Sequence, residues 1–84
     1  MSPSTYHDDY QRLLAVLKAL RLEAGVTQVE LGQRLGNTQT FVSKFERGER
    51  RLDVTEFVDV CEALGVEPLA AFARYLGARE VPSA

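Results

Sequence analysis

The chain has 84 residues, of which 45% are hydrophobic and 26% are charged, and its formal net charge is −2. This length allows one small domain, and the composition is that of an ordinary globular protein, which excludes collagen-like, disordered and membrane-spanning chains. The single cysteine, Cys61, cannot form an internal disulfide, and no basic stretch followed by an apolar one marks a secretory signal. We therefore expect a cytoplasmic protein that does not engage a membrane.

The charged residues are unevenly distributed along the chain. Residues 26–51 carry five basic and three acidic side chains, a net +2, whereas residues 52–84 carry two basic and six acidic ones, a net −4. A basic middle segment can meet phosphate groups while an acidic last third avoids them. Ordinary solvated surface explains the same numbers, so charge alone does not decide between the two interpretations.

The first predicted helix runs from about Tyr6 to Ala24. Thr5, followed three residues later by Asp8, resembles a capping box, and Gly25 can take the left-handed conformation that ends a helix. Apolar residues recur at steps of three and four, which indicates one buried helix face. These residues are Tyr10, Leu13, Leu14, Leu17, Leu20 and Ala24.

Two short helices are predicted in the middle of the chain. Thr27, with Glu30 three residues later, forms a capping box for helix two. Thr38 caps helix three, which runs from about Gln39 to Arg47. The link Gly36-Asn37-Thr38 is so short that it favours a steep crossing angle, which is the geometry of a helix-turn-helix.

Gly32 lies inside helix two, where glycine costs about 1 kcal/mol relative to alanine. At a steep crossing the helix backbones come close together, so we expect a small residue to be required on the inner face at this position. A tolerated surface glycine is the alternative.

Two further helices are predicted in the last third. Asp53 caps helix four, with Glu56 three residues later, and Gly65 ends it. The apolar stripe of helix four is Val54, Phe57, Val58, Cys61 and Leu64. Pro68 suits the first turn of helix five, which Gly77 ends. The apolar residues of helix five are Leu69, Phe72, Ala73 and Leu76.

We expect most of these apolar residues of helix five to close the core. Tyr75, with whichever of Leu69 or Leu76 points outward, is an alternative candidate for an interface between two subunits. The N-terminal extension of helix one is the other candidate. Residues 78–84 contain Pro82 and are expected to form a flexible tail. Because no alternating, strand-like run competes with the helices, the predicted fold is an all-α, compact five-helix bundle.

Helix three has an apolar face with Phe41, Val42 and Phe45, and its opposite face carries no carboxylate. Side chains on and beside that face suit the major groove of DNA: a glutamine pairs with adenine N6 and N7, a threonine meets a thymine methyl group, and a lysine reaches guanine or a phosphate. A serine is short enough to let the helix lie close. The predicted base-reading residues are Gln39, Thr40, Ser43 and Lys44.

A second group of residues is predicted to contact DNA phosphates. Gln28 has amide donors at the start of helix two, and three arginines lie in and after helix three. The predicted phosphate contacts are Gln28, Asn37, Thr38, Arg47, Arg50 and Arg51. For each arginine taken singly, simple exposure to solvent is the default interpretation.

Residues 27–36, TQVELGQRLG, and residues 38–48, TQTFVSKFERG, resemble the DNA-binding domain of the Xre/Cro and phage-repressor-like family. The resemblance covers about Leu17 to Leu76 and rests on roughly a dozen spaced positions. It implies a five-helix domain of the phage-repressor type that binds duplex DNA as a dimer. Gly32 departs from the family, in which alanine is usual at that position.

The resemblance also implies residue roles. Gln28 matches the family's phosphate-contacting glutamine, and Gln39, Thr40 and Lys44 match its base-reading positions, with Ser43 close by. The resemblance implies a structural ion pair between helix one and helix three, formed by Arg21 and Glu46. Phe41 is expected to be partly buried at the border between protein and DNA.

No residue pattern indicates catalysis, a cofactor or a metal. His7 has Asp8 and Asp9 beside it, but neighbouring residues on a helix point in different directions, so a surface position near the helix start is the simpler interpretation. Cys61 lies on the apolar stripe of helix four and is expected to be a small core residue. We therefore expect a protein that is not an enzyme.

The leading hypothesis is a sequence-specific regulator of transcription that binds double-stranded DNA. Residues 1–84 would form a single helix-turn-helix domain with its core at about 6–77, acting as a homodimeric repressor on a palindromic operator. The alternative is a protein-interaction module, an antitoxin-like or co-regulator subunit, whose acidic last third binds a basic partner.

Overall fold

The computed structural model describes the backbone of residues 3–79 and the side chains from Asp8 to Arg79. Five α-helices follow one another, with no β-strand between residues 3 and 79, and the predicted all-α fold is confirmed. The helices are α1 (Pro3–Glu23), α2 (Gln28–Arg34), α3 (Gln39–Glu46), α4 (Val54–Ala63) and α5 (Pro68–Ala78). No helix in this part of the chain is long and apolar enough to cross a membrane.

The helix boundaries differ from the sequence predictions at a few residues. Helix α1 begins at Pro3, ahead of the predicted start at Tyr6, so Thr5 is not its N-terminal cap. The side chains of Thr5, from the proposed capping box, and of His7 lie outside the described residues, as do residues 80–84 of the predicted tail. Gly77 does not end α5, because it lies within the helix one residue before Ala78.

The predicted N-terminal caps of the three central helices are confirmed. Thr27 accepts a hydrogen bond from the backbone N–H of Glu30 while Glu30 accepts one from the N–H of Thr27, both at 3.0 Å. Asp53 and Glu56 form the same reciprocal pair at the start of α4. Thr38 accepts a bond from the N–H three residues later. These caps satisfy backbone donors that would otherwise lack partners.

The hydrophobic core is built around α1, with α3 and α5 packed against it and α4 packed against α5 and α2. Cys61 is fully buried, as predicted, and burial raises the pKa of its thiol. The most deeply buried large side chains are Phe45, Leu14, Leu17, Leu31, Val42, Val60 and Cys61. Both α3 residues in that set come from the predicted apolar face, so the orientation of α3 is fixed by its own core residues.

The expectation that helix five closes the core through its large apolar side chains is wrong. Leu69 is 78% exposed, and Phe72, Ala73 and Leu76 are exposed as well. Ala71 faces the core instead, with Tyr75 packed against it four residues later on the same helix face. The helix therefore has two apolar faces. Because the side chain of Ala71 is small, α5 can lie close to the core.

Val54 in helix four is a second correction. It is 79% exposed, although it was predicted to lie on the buried stripe. Val60, which the predicted stripe omitted, is buried in its place. Val54 is the first residue of α4, one turn before the part of the helix that reaches the core at Phe57 and Val60.

The tight turn between α2 and α3 depends on two glycines. Gly36 has a positive φ of 67°, a conformation that disfavours other residues. At Gly32 a Cβ atom would lie 2.8 Å from both the carbonyl carbon and the carbonyl oxygen of Thr38. The close backbone approach predicted at Gly32 is therefore present.

Candidate nucleic-acid interface

Helix α3 presents a polar side to solvent while its apolar side is anchored in the core. Val42 and Phe45 are fully buried, and Phe41 is half-buried, with its ring 5.6 Å from the ring of Phe45. The four predicted base-reading residues lie on or next to the opposite side. Gln39, Thr40 and Lys44 are exposed and Ser43 is half-buried.

Arg21 and Glu46 form an ion pair between α1 and the end of α3. The Arg21 Nε donates to Glu46 Oε2 at 2.7 Å, and Nη2 donates to Oε1 at 3.1 Å. The two side chains are only 8% and 4% exposed, and Arg21 Nη1 also donates to the carbonyl of Val26. All three guanidinium nitrogens of Arg21 therefore donate a hydrogen bond, so the pair is well satisfied for a buried one.

Two glutamines extend this ion pair to the start of α3. The Gln28 Nε2 donates to Glu46 Oε1 at 2.9 Å, and the Gln39 Nε2 donates to Gln28 Oε1 at 2.8 Å. A continuous chain of hydrogen bonds therefore joins Arg21 in the core to Gln39 at the surface. Sequence reasoning named all four residues but did not predict that the two glutamines bond to each other, because that contact depends on side-chain conformation.

The arginines that follow α3 are held by acidic neighbours. Arg47 bonds to Glu49 at 2.8 Å and to the Ser43 hydroxyl oxygen at 2.6 Å. Arg50 makes a two-point ion pair with Glu56 at 2.7 and 2.9 Å. Sequence reasoning predicted that these arginines contact DNA phosphates, with exposure to solvent as the default for each taken singly, and it missed both acidic partners.

The pKa values of the two carboxyl groups reflect these bonds. The hydrogen bond from Arg47 lowers the pKa of Glu49, and the hydrogen bond from Arg50 lowers that of Glu56. The pKa of each arginine is raised in turn by its carboxylate partner. All four groups are therefore charged at neutral pH.

Helix α1 supports the loop between α3 and α4. The Tyr10 hydroxyl accepts a hydrogen bond from the backbone N–H of Leu52 at 3.1 Å. The guanidinium of Arg51 lies 4.5 Å from the centre of the Tyr10 ring, which is within the range of a cation–π contact. The loop that carries Arg50 and Arg51 is thus braced by an aromatic residue that sequence reasoning assigned only to the apolar face of helix one.

Asn37 and Thr38 lie in the link before α3, and both are exposed. Asn37 Oδ1 accepts a bond from the Thr38 N–H at 2.9 Å, and the Thr38 hydroxyl caps α3. Their oxygens stabilise the turn, so a contact to phosphate from either residue stays a prediction. No group of three His, Cys, Asp or Glu side chains suited to a metal occurs in the described part of the chain.

The sequence model of the helix-turn-helix family matches residues 17–72, which contain every residue of the predicted site. The chain belongs to this helix-turn-helix family. The family is of the transcription-regulator type and not a family of enzymes. The match extends from the second half of α1 into α5, so it includes the whole α2–α3 unit.

Solved helix-turn-helix structures share the whole fold. An XRE-family-like protein from Pseudomonas syringae pv. tomato is 46% identical, with a TM-score of 0.83, and the match covers 88% of this chain and 90% of that one. The clp gene regulator ClgR from Corynebacterium glutamicum is 26% identical, with a TM-score of 0.78 and coverage of 88% and 96%. The wild-type restriction-modification controller protein C.Esp1396I is 26% identical, with a TM-score of 0.77 and coverage of 82% and 91%.

A curated relative with a related sequence is the uncharacterized HTH-type transcriptional regulator y4dJ of Sinorhizobium fredii. It is 43% identical over 47 residues, which make up 56% of this chain. The match spans 61% of that regulator's length.

Proposed function

We propose that this helix-turn-helix protein is a sequence-specific regulator of transcription that binds double-stranded DNA with α3 in the major groove. The observation that carries the proposal is the exposure of Gln39, Thr40 and Lys44 on a helix whose other side is locked into the core. No described residue covers that surface, and the groove of B-DNA is wide enough for one helix.

The base-reading role of α3 is divided among four side chains. Gln39 uses one Nε2–H on Gln28 and keeps its other N–H and its Oε1, the donor and acceptor that adenine N6 and N7 require. Ser43 accepts from Arg47, which leaves its hydroxyl hydrogen and one lone pair for a base. Thr40 offers a methyl group for a thymine, and Lys44 reaches guanine or a phosphate.

The phosphate contacts would flank that helix. Gln28 and the residues of the α2–α3 link lie on one side, and Arg47, Arg50 and Arg51 follow its C-terminal end. Arg47 and Arg50 are paired with Glu49 and Glu56 in the free protein, so a phosphate would compete with these carboxylates when DNA binds. The six residues proposed to contact phosphate are Gln28, Asn37, Thr38, Arg47, Arg50 and Arg51.

A second copy of the chain is the proposed occupant of an apolar groove between α4 and α5. The groove has a volume of about 350 Å³, and it is lined almost entirely by apolar side chains. Val54, Leu69 and Phe72 at its edge are exposed in the single chain. Burial of these side chains between two subunits would remove them from water and stabilise a homodimer.

A dimer would supply what the single chain lacks for tight DNA binding. Two copies of α3 about 34 Å apart would reach successive major grooves on a palindromic operator. They would also double the number of phosphate contacts of a chain whose net charge is −2. Occupancy of such an operator, as a repressor, is the simplest mode of action.

The test is selection of bound duplexes from a random DNA pool, followed by titration at two salt concentrations. We expect an enriched palindrome, with affinity that falls steeply as salt rises. Binding without any enriched sequence, or no binding at all, would contradict the proposal.

A protein-interaction module remains the second candidate, because acidic residues at and beyond α4 are exposed. Asp59, Glu62 and Glu67 all face solvent, and no basic residue lies between positions 52 and 73 to balance them. A basic partner protein would complement that surface. Failure to select DNA, together with one basic partner that co-purifies in stoichiometric amounts, would favour this candidate.

A further inference from the structure

The orientation of the Gln28 side-chain amide is dictated by a buried carboxylate. Both oxygens of the Glu46 carboxylate accept from Arg21, and Gln28 turns its Nε2 toward the same carboxylate, at 2.9 Å. The Gln28 Oε1 then faces the other way and can only accept. It accepts from the Gln39 Nε2 at 2.8 Å.

Glu46 is itself fixed in place. Both of its oxygens accept from Arg21, at 2.7 and 3.1 Å, and its side chain is 4% exposed. The hydrogen bonds therefore converge on the Glu46 carboxylate, from Arg21 on one side and from Gln39 through Gln28 on the other, and the donor and acceptor order of both glutamines is set at Glu46. A surface glutamine without such a partner could present either end of its amide.

This fixed order decides which groups Gln39 can offer to a base. One N–H of its Nε2 is used by Gln28, which leaves one donor and the acceptor Oε1. Adenine presents one donor and one acceptor in the major groove, whereas guanine presents two acceptors, N7 and O6. The Oε1 of Gln39 would repel guanine O6.

We propose that Glu46, acting through Gln28, is a positioning residue that sets the donor–acceptor order of Gln39 and so the choice of adenine over guanine at one base pair. The inference rests on the proposed function, since it concerns the same DNA-reading helix. Glu46 would thus help to determine the operator sequence without touching DNA.

Substitution of Glu46 by glutamine should reverse the order. The Arg21 Nε would donate to the oxygen of the new amide at the former Oε2 position, and the new NH₂ group at the former Oε1 position would face Gln28, with loss of the bond from Arg21 Nη2. Gln28 would then turn its Oε1 inward and its Nε2 toward Gln39. The Gln39 Oε1 would accept that hydrogen bond, and both N–H groups of Gln39 would stay free. Two free donors match guanine N7 and O6.

The first experiment compares affinities for the selected operator and for a duplex with guanine in place of the adenine read by Gln39. For Glu46→Gln we expect the adenine-to-guanine affinity ratio to fall about 10-fold or more, with affinity for random DNA unchanged. Gln28→Leu leaves the ion pair between Arg21 and Glu46 intact. For this variant we expect the adenine-to-guanine affinity ratio to fall about 2- to 10-fold, with adenine still preferred. Gln33→Leu is the matched control, an exposed glutamine on the same helix, and should keep the wild-type ratio.

A folded Glu46→Gln variant that keeps the wild-type ratio, or that loses affinity equally for every sequence, would overturn the inference. If Glu46→Gln does not fold, Gln28→Leu decides, and an unchanged ratio in that variant has the same meaning.

A second experiment needs no DNA and separates this inference from the proposed function. Exchange of the side-chain amide hydrogens with solvent is measured by NMR for Gln28 and Gln33 in the free protein. We expect exchange at Gln28 to be slower by about 2- to 10-fold, and this difference to shrink in Glu46→Gln. Equal rates in the wild-type protein would contradict the fixed amide whatever the protein does with DNA, whereas slow exchange without operator binding would count against the proposed function alone.

Discussion

The guanidinium of Arg50 lies 4.7 Å from the centre of the Phe41 ring, so α3 and the loop that follows it are packed together. Phe41 in turn contacts Phe45 in the core. Arg50 is therefore held on one side by an aromatic ring and on the other by Glu56. An arginine placed in this way has lost much of its conformational freedom before any phosphate arrives.

Replacement of Arg50 by alanine should weaken binding to all DNA sequences alike. The slope of log affinity against log salt should fall by about 1 or less, because Arg50 already has a carboxylate partner in the free protein. Filter binding or fluorescence anisotropy at several salt concentrations measures both quantities. Arg74→Ala is the matched control, since Arg74 forms an equally close ion pair with Glu23 on another part of the surface. A loss confined to the cognate operator would show that Arg50 reads bases.

Replacement of Gln39 by alanine should cost about 1–3 kcal/mol of binding free energy on the cognate operator and relax the choice at one base pair. The reason is the loss of a paired donor and acceptor next to the base edge. Competition with single-base variants of the operator measures the effect. Gln33→Ala should leave the affinities unchanged, and equal losses for Gln39→Ala on cognate and random DNA would remove Gln39 from the base-reading role.

Replacement of Gly32 by alanine should destabilise the fold although alanine favours helices. The new Cβ would meet the Thr38 carbonyl group at 2.8 Å, and such overpacking costs about 1–3 kcal/mol against a gain of about 1 kcal/mol from helix propensity. Urea denaturation measures the free energy of unfolding. Gly77→Ala is the control, because its Cβ would meet nothing within 4 Å, and we expect it to stabilise the protein by about 0.5–1 kcal/mol. A neutral or stabilising effect at Gly32 would show that the turn can open without cost.

Replacement of Leu69 by lysine should dissociate the proposed dimer without unfolding the chain. Leu69 is 78% exposed, so the charge costs the single chain little, within about 0.5 kcal/mol. Sedimentation equilibrium measures the association. Leu22→Lys is the matched control, since Leu22 is exposed on α1 and does not line the α4–α5 groove. A Leu69→Lys protein that remains dimeric would exclude this face as the interface.

Stability should decline in acid, in part through Glu56. The hydrogen bond from Arg50 lowers the pKa of Glu56 from its ordinary value of 4.5, so the folded protein binds a proton less readily than the unfolded chain. The contribution of Glu56 to the free energy of unfolding is complete above the ordinary pKa of 4.5. It is lost as the pH falls through the lower pKa of the folded state. Urea midpoints from pH 6 down to about pH 3 measure it. Glu56→Gln should flatten the decline, and an identical decline in both proteins would show that other carboxyl groups cause it.

Much of the α2–α3 unit could be predicted because its signals are local. The capping residues Thr27, Thr38 and Asp53 act within one helical turn. Gly32 indicates a close approach of two helix backbones, because it has no side chain. The burial of Val42 and Phe45 follows from the 3.6-residue period of a helix.

What could not be predicted depends on contacts between distant parts of the chain. Helix α5 has apolar residues on two faces, and only the packing against α1 and α4 determines that Ala71 rather than Leu69 is buried. The bond between Gln28 and Gln39 joins residues eleven positions apart through side-chain conformations that no sequence period encodes. The pairing of Arg47 with Glu49 and of Arg50 with Glu56 likewise depends on the conformation of the loop between α3 and α4.

The bond from the Leu52 backbone to the Tyr10 hydroxyl joins the shared family segment to a residue upstream of it, since the family match begins at residue 17. A shortened protein limited to residues 17–72 would keep both helices of the motif but lose the aromatic support beneath Arg51. Transplanting α2, α3 and the loop after α3 into another protein therefore requires the first half of α1 as well.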